Sequence, residues 1–249
     1  RDNPLSKIEF DRIRPDAKYN WINQAEHDWE AFIPVASKET KGAKLESEER
    51  AIFRLYSLGL ATNRDEWVYD FSKRNLEDKI KLFCSVYEAE RVRWTKSKSK
   101  VSVADFVDRT IKWTSELETD LTNNLSIKFN PKHLSSAMYR PFVRVNAYYD
   151  QNVVHRPYQQ PNIFPIDLEA KNTVICVNTA DSPFNILASD TVVDLHFNGD
   201  SQCLPLYRYE NGNRLDNITD YALHAFQTQY GNASITRQQI FAYTYAVLH

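Results

Sequence analysis

The sequence predicts an α+β fold, with a helical N-terminal half followed by a mixed, mainly antiparallel β subdomain closed by C-terminal helices. Three observations predict it. Apolar residues recur at helical spacing up to about residue 122, short β-rich runs punctuated by prolines begin after Pro131, and helix-capping signals return from Thr219. The expected organisation is a mainly helical subdomain over 1–130 and an α+β subdomain over 131–249.

In chain order, Ala51, Ile52, Leu55, Tyr56 and Leu58 form one stripe of an expected helix from Leu45 to Leu58, with Gly59 where a helix C-terminus favours a left-handed residue. From Leu76 the positions Ile80, Phe83, Tyr87 and Trp94 keep helical spacing into the basic run Arg91 to Lys100. Ser102 followed by Asp105 resembles a capping box, and Phe106, Val107, Ile111, Thr114, Leu117 and Leu121 read as the buried face of a further helix that ends at Asn123-Asn124. Strands are expected over Phe142 to Tyr149, Thr173 to Val177, Val192 to Phe197 and Leu204 to Tyr209. The pairs Asn198-Gly199 and Asn211-Gly212 suit tight turns, the second joining a hairpin. Helices over Thr219 to Tyr230 and from Thr236, which has Gln239 three residues on, complete the chain.

Of 249 residues, 42% are hydrophobic and 13% aromatic, enough to offset the entropy of ordering a core and to exclude a disordered chain. No apolar run reaches the length of a bilayer span. The chain opens on Arg1 and its single methionine is Met138, so it is expected to be a piece of a longer polypeptide or a processed product. Cys84, Cys176 and Cys203 lack the spacing of a zinc or redox motif and read as reduced core thiols, which points to the cytoplasm. A net charge of −2 excludes a uniformly basic surface; any nucleic-acid contact must come from local clusters.

Catalytic signatures are missing from the sequence. Five dispersed glycines make no phosphate-cradling loop, there is no Pro-Pro pair for an Asn-Pro-Pro-Tyr loop, and no histidine has a second histidine at i+3 or i+4. Asp190, Asp194 and Asp200 around His196 have spacings that suit a metal-dependent nuclease. A half-buried strand, with Asp194 and His196 facing solvent and Val193, Leu195 and Phe197 facing inward, explains the same residues and is the preferred reading. Glu88 and Glu90 with Arg91 and Arg93 read as ion pairs on a helix surface.

Several blocks stand in order along the chain: Tyr19-Asn-Trp-Ile-Asn23, Thr62-Asn-Arg-Asp-Glu-Trp-Val-Tyr-Asp70, Tyr139-Arg-Pro-Phe142, Arg156-Pro-Tyr-Gln-Gln-Pro161, Asp194-Leu-His-Phe197 running into Cys203-Leu-Pro-Leu-Tyr207, and Ile235-Thr-Arg237 to Leu248. Together they resemble the C-terminal target-recognition region of bacterial type ISP restriction–modification enzymes, large polypeptides with nuclease, translocase, N6-adenine methyltransferase and recognition parts. The resemblance implies a sequence-specific module that binds double-stranded DNA and positions the methyltransferase and translocase domains of the same polypeptide, with no membrane partner. It implies no cofactor in this chain; S-adenosylmethionine, ATP and magnesium belong to the parent enzyme. A helical coupling module without base readout is the alternative reading, and a metal-dependent nuclease a third.

Reading a duplex needs base-edge donors and phosphate contacts. Asn63 and Arg64 follow an expected helix end, although neighbouring Asp65 and Glu66 equally suit a structural role for Arg64. The proline-stiffened stretches at 139–144 and 156–161 offer Arg140, Arg144, Arg156, Tyr158, Gln159 and Gln160 as the leading candidates. Arg91, Arg93, Lys96, Lys98 and Lys100 suit phosphates without choice of sequence. Asn198, Ser201 and Gln202 are expected at a polar hairpin tip.

Overall fold

The computed structural model describes residues 12–16, 19–22, 32–97, 101–166, 171–178 and 183–249. The chain forms two compact units, Arg1–Ile33 and Pro34–His249. In the first, Asp16 organises a turn: its carbonyl accepts from the Tyr19 amide at 2.9 Å, and its carboxylate from the Asn20 amide at 2.9 Å.

The second unit opens with α1 (Lys38–Gly42), capped by the Ser37 hydroxyl. The expected helix over 45–58 is absent. Ala51, Ile52 and Phe53 are consecutively buried, which one helix face cannot accomplish, and their neighbours bond to distant chain: the Ile52 amide to Pro34 O at 2.8 Å and the Arg54 amide to Asn217 O at 2.9 Å. The segment runs extended into β1 (Ser57–Leu58). After it come α2 (Asp65–Val68), β2 (Tyr69–Asp70) and the long α3 (Lys73–Lys96), where the helical spacing holds and Leu76, Ile80, Phe83, Cys84, Tyr87 and Glu90 are buried.

Residues 102–122 carry two short helices instead of one, α4 (Val103–Phe106) and α5 (Ser115–Thr122), started by the side chains of Ser102 and Thr114. Between them the Asp108 carboxylate accepts from the Thr110 amide at 2.6 Å. Such short polar side chains compete with helical backbone bonds, so the apolar pattern survives while the helix does not.

Ten strands follow this logic among the described residues. One sheet has the order β2-β4-β3-β7, with β3 (Leu134–Arg140), β4 (Val143–Tyr148) and β7 (Val192–Val193), the last parallel to β3. The other has the order β1-β8-β5-β6, with β5 (Val174–Val177), β6 (Ile186–Ser189) and β8 (Gln202–Pro205). A separate hairpin, β9 (Tyr207–Glu210) and β10 (Asn213–Asp216), turns at Asn211-Gly212, where both residues have positive φ as expected. Finally α6 (Asp220–Gln229) and α7 (Arg237–Leu248) form where predicted, the latter on a complete Thr236–Gln239 capping box.

The expected strand over 192–197 stops at Val193, and the chain turns so that the Phe197 amide bonds Asp194 O at 3.0 Å. A single core joins α3 to both sheets, with Leu76, Phe83 and Tyr87 in one cluster with Ala137, Val145 and Cys203. Residues on both sides of position 130 contribute to this core, and the compact units part at 33/34. Cys84, Cys176 and Cys203 are free and buried, and among the described residues no helix is long and apolar enough to cross a membrane.

Gly59 is a packing glycine and not a helix cap. A Cβ there would lie 2.5 Å from Asp194 O and 2.8 Å from Asp194 C, both backbone atoms. We expect Gly59→Ala to destabilise the chain by about 2 kcal/mol or more, measured by denaturant unfolding. Gly42→Ala, with nothing within 4 Å of the added carbon, serves as the neutral control.

Candidate nucleic-acid interface

Backbone hydrogen bonds sew the two sheets together just past β1. The Leu60 amide donates to Val193 O at 2.8 Å, the Leu195 amide to Leu60 O at 2.9 Å, and the Asp194 amide to Met138 O at 2.9 Å. On its other side the segment pairs with Arg156, through Ala61 N to Arg156 O at 3.0 Å and Arg156 N to Ala61 O at 2.8 Å. Four chain segments thus lie side by side, from the end of β3 through residues 193–195 and 60–61 to Arg156. At about 4.8 Å per strand spacing the row is about 14 Å wide.

Asp194 is the hub of this row. It is 3% exposed, and its carboxylate accepts from Arg140 Nη1 at 2.7 Å, Tyr69 Oη at 3.1 Å and the His196 amide at 2.9 Å. Burial holds its carboxyl above the ordinary carboxylate range, opposed by the His196 amide and by the Arg140 charge. The neighbouring Tyr69 phenol is pushed well up, by burial first and by Asp194 second.

Arg140 ends β3. Its guanidinium lies over the Tyr139 ring, 3.9 Å from the centroid, while Tyr139 Oη donates to Asp65 at 3.0 Å and Thr62 bonds the other Asp65 oxygen. The register shift between Met138 and Arg140 leaves Tyr139 as the extra residue of a bulge, a device that re-aims side chains at a strand end. Across the hairpin Arg144 pairs with the exposed Asp190 at 2.6 Å.

The loop at 156–160 is equally fixed from beneath. Gln160 is fully buried, its Nε2 donating to Leu58 O at 3.0 Å, and the Gln159 amide bonds the Ser57 hydroxyl at 3.0 Å. Tyr158 has φ +48 and stays 38% exposed. Arg156 and Gln159 are exposed, and so is Asn63, at φ +51.

The structure therefore gathers Asn63, Arg140, Arg144, Arg156, Tyr158 and Gln159 on segments at or directly joined to the row. Other expected contacts are corrected. Arg64 is 1% exposed and serves as a staple, donating to Val153 O at 2.9 Å and Thr114 Oγ1 at 2.7 Å, with burial lowering its pKa to about 10. Gln160, Asn198 and Ser201 are buried: Asn198 donates to Cys176 O at 2.9 Å, and Ser201 O accepts from the Gly59 amide at 2.9 Å. Gln202 stands in β8, paired on both sides by β1 and β5, so the expected polar tip folds inward.

Along α3, Arg91 pairs with Glu88 at 2.8 Å, while Arg93 bonds the buried Glu90 and covers Phe106 at 4.3 Å. Lys96 is exposed; Lys98 and Lys100 lie outside the described residues. This basic end is about 20 Å along the helix axis from Lys79, which bonds Tyr69 O beside the row. The acidic trio is dispersed among separate partners, Arg140 for Asp194, Arg144 for Asp190 and His196 for Asp200, and the solvent-facing strand reading of Asp194 is overturned by its burial. Sequence reasoning missed Asp194, Tyr69 and Asp65 as organisers, because alternation placed Asp194 outward and nothing local pairs residue 69 with residue 194.

A family model described as the Type ISP C-terminal specificity domain matches residues 51–249, and the chain belongs to that family. Among solved structures it is similar to a DrdV–DNA complex determined by cryo-electron microscopy, with 44% identity and a TM-score of 0.83 over 98% of this chain and 24% of that one. It is also similar to the type ISP restriction–modification enzyme LlaGI, solved as a nuclease-deletion mutant with a DNA substrate mimic, at 29% identity and a TM-score of 0.69 over 90% of this chain and 18% of that one. The ATP-dependent type ISP enzyme LlaBIII bound to DNA matches at 26% identity and a TM-score of 0.71, over 95% of this chain and 15% of that one. The chain thus spans a quarter or less of the length of these relatives. No curated protein matches it.

Arg140→Met leaves Asp194 buried without its cation and is expected to cost about 2 kcal/mol or more, exceeding the cost of Asp194→Asn. The sign with pH follows from the raised carboxyl. Because the folded state holds the Asp194 proton more tightly than the unfolded chain, its contribution is full in acid and is lost as pH rises through the folded value. The Arg140→Met deficit should accordingly grow over that rise and vanish in acid, as read from denaturant midpoints across pH.

Proposed function

We propose that this chain is the DNA target-recognition part of a type ISP restriction–modification enzyme, reading a specific duplex sequence for the methyltransferase and translocase domains of the same polypeptide in the bacterial cytoplasm. The observation that carries the proposal is that nearly the whole chain superposes on part of an enzyme solved on DNA. The site is compatible with it, since Arg144, Arg156 and Gln159 are exposed on two proline-stiffened loops beside one backbone row.

In this reading Arg144 and Arg156 contact phosphates and set register, while Arg140, Gln159 and Asn63 present donors to base edges. Arg140 suits guanine, whose two major-groove acceptors match a guanidinium fork, and Gln159 suits adenine. Tyr158 packs against sugar or base. Arg91, Arg93 and Lys96 add phosphate contacts beyond the row. The chain supplies no catalytic group of its own; S-adenosylmethionine, ATP and magnesium serve the other domains.

The test separates grip from choice. In the intact protein, Arg144→Ala with Arg156→Ala should lower the slope of log K against log salt by about 1–2 on any duplex. Gln159→Ala should relax the preferred site at one position and leave that slope unchanged. Exchange of residues 34–249 for those of a relative should transfer the relative's recognition sequence. Loss of activity without a change of site would favour a coupling module, and an unchanged salt slope would overturn the assignment of the row.

A further inference from the structure

Phe142 is a large apolar residue that the fold does not use. It occupies the second position of the Pro141-Phe142 turn between β3 and β4, at φ +62 with 88% of its surface exposed. Proline followed by a residue of positive φ is the order of a type II turn, whose second position favours glycine or asparagine. A phenylalanine there strains the backbone, and because the ring touches little of the protein, packing does not offset the strain. Turn formation and core burial are both excluded as reasons for this side chain.

Its surroundings say what the ring meets. Two residues to either side stand Arg140 and Arg144, their guanidinium groups fixed by Asp194 and Asp190. The tip is therefore an apolar residue flanked along the hairpin by two cations, and β3 is bonded at its end into the backbone row. Flanking guanidinium groups complement the acceptors of phosphates and base edges and an exposed aromatic face complements a base, so the occupant is a duplex base step.

We propose that Phe142 inserts against a base step of the recognised site and partly unstacks it, a use of apolar side chains that kinks a duplex and adds selectivity for deformable steps. The proposal rests on the DNA-reading function above and adds to it a named contact and a distortion. Selectivity then arises at a step where Phe142 makes no base-edge hydrogen bond.

The experiment uses the intact protein and the site it selects from a random duplex library, with 2-aminopurine placed in turn at each position of that site. Fluorescence should rise at one step on binding, the rise should disappear with Phe142→Gly, and Phe142→Trp should retain it. Phe142→Gly should weaken binding to the site by about tenfold, the loss of one stacked aromatic contact, while binding to random duplex at low salt stays within about twofold. Its melting temperature should match or exceed that of the parent, because glycine fits the positive φ, so lost distortion is not unfolding. Site-specific binding without any fluorescence rise, or full site affinity in Phe142→Gly, would overturn the wedge and leave DNA reading standing. Absence of any preferred site would overturn both. Loss of association with the methyltransferase part, with site binding unchanged, would assign the ring to a protein contact and refute the wedge.

Discussion

The close approach of Gly59 and Leu60 to the chain at Val193–Leu195 is the constraint on which the rest of this structure depends. The approach brings backbone to within what a Cβ would fill, so it requires glycine, and it places the Asp194 carboxylate inside the protein. A carboxylate so buried must be matched by donors. Arg140, Tyr69 and the His196 amide provide them, from the end of β3, from β2 and from the turn itself. One packing event thereby fixes three elements that are far apart in sequence, and the loop at Arg156 is tied on through Ala61.

This arrangement separates holding from reaching. Arg64, Gln160, Asn198 and Ser201 look like contact residues by type, yet each is buried, and the first three donate to the carbonyls of Val153, Leu58 and Cys176, tying irregular segments to the rest of the fold. Buried polar groups of this kind make irregular segments rigid, because every partner lost would expose an unpaired donor or acceptor to a low-dielectric interior. Exposed neighbours one position away, Asn63 and Gln159, inherit that rigidity. A side chain held in advance loses little entropy when it meets a partner.

The sequence was legible where local rules decide the structure. The spacing of Leu76, Ile80, Phe83 and Tyr87 gave α3, Asn211-Gly212 gave the hairpin, and Thr236 with Gln239 gave α7. It was illegible where distant backbone decides. Ala51 to Leu58 has a helical stripe, but its amides are claimed by Pro34, Val35 and Asn217, so the segment stays extended. The apparent alternation from Val193 to Phe197 failed because Asp194 finds Arg140 54 positions away, a partner no window of sequence reveals. The placing of Arg140 and Arg144 beside a turn was legible because a proline-stiffened loop between β-rich runs is a local signal. The burial of Arg64 and Gln160 depends on tertiary neighbours alone.

The modest net charge of −2, which at first argues against nucleic acid, acquires a physical meaning at this site. Arg140 and Arg144 each carry an aspartate, and Arg91 and Arg93 each a glutamate. A paired guanidinium attracts phosphate weakly at long range but keeps its remaining donors aimed in one direction. For a module that reads sequence, that exchange is favourable. Non-specific grip grows with uncompensated charge and is the same on every duplex, whereas discrimination depends on donors meeting the right base edges. Acidic partners thus lower the affinity for wrong sites more than for the right one. On the proposed reading, the near-neutral composition of this chain is a consequence of selecting a site instead of merely holding DNA.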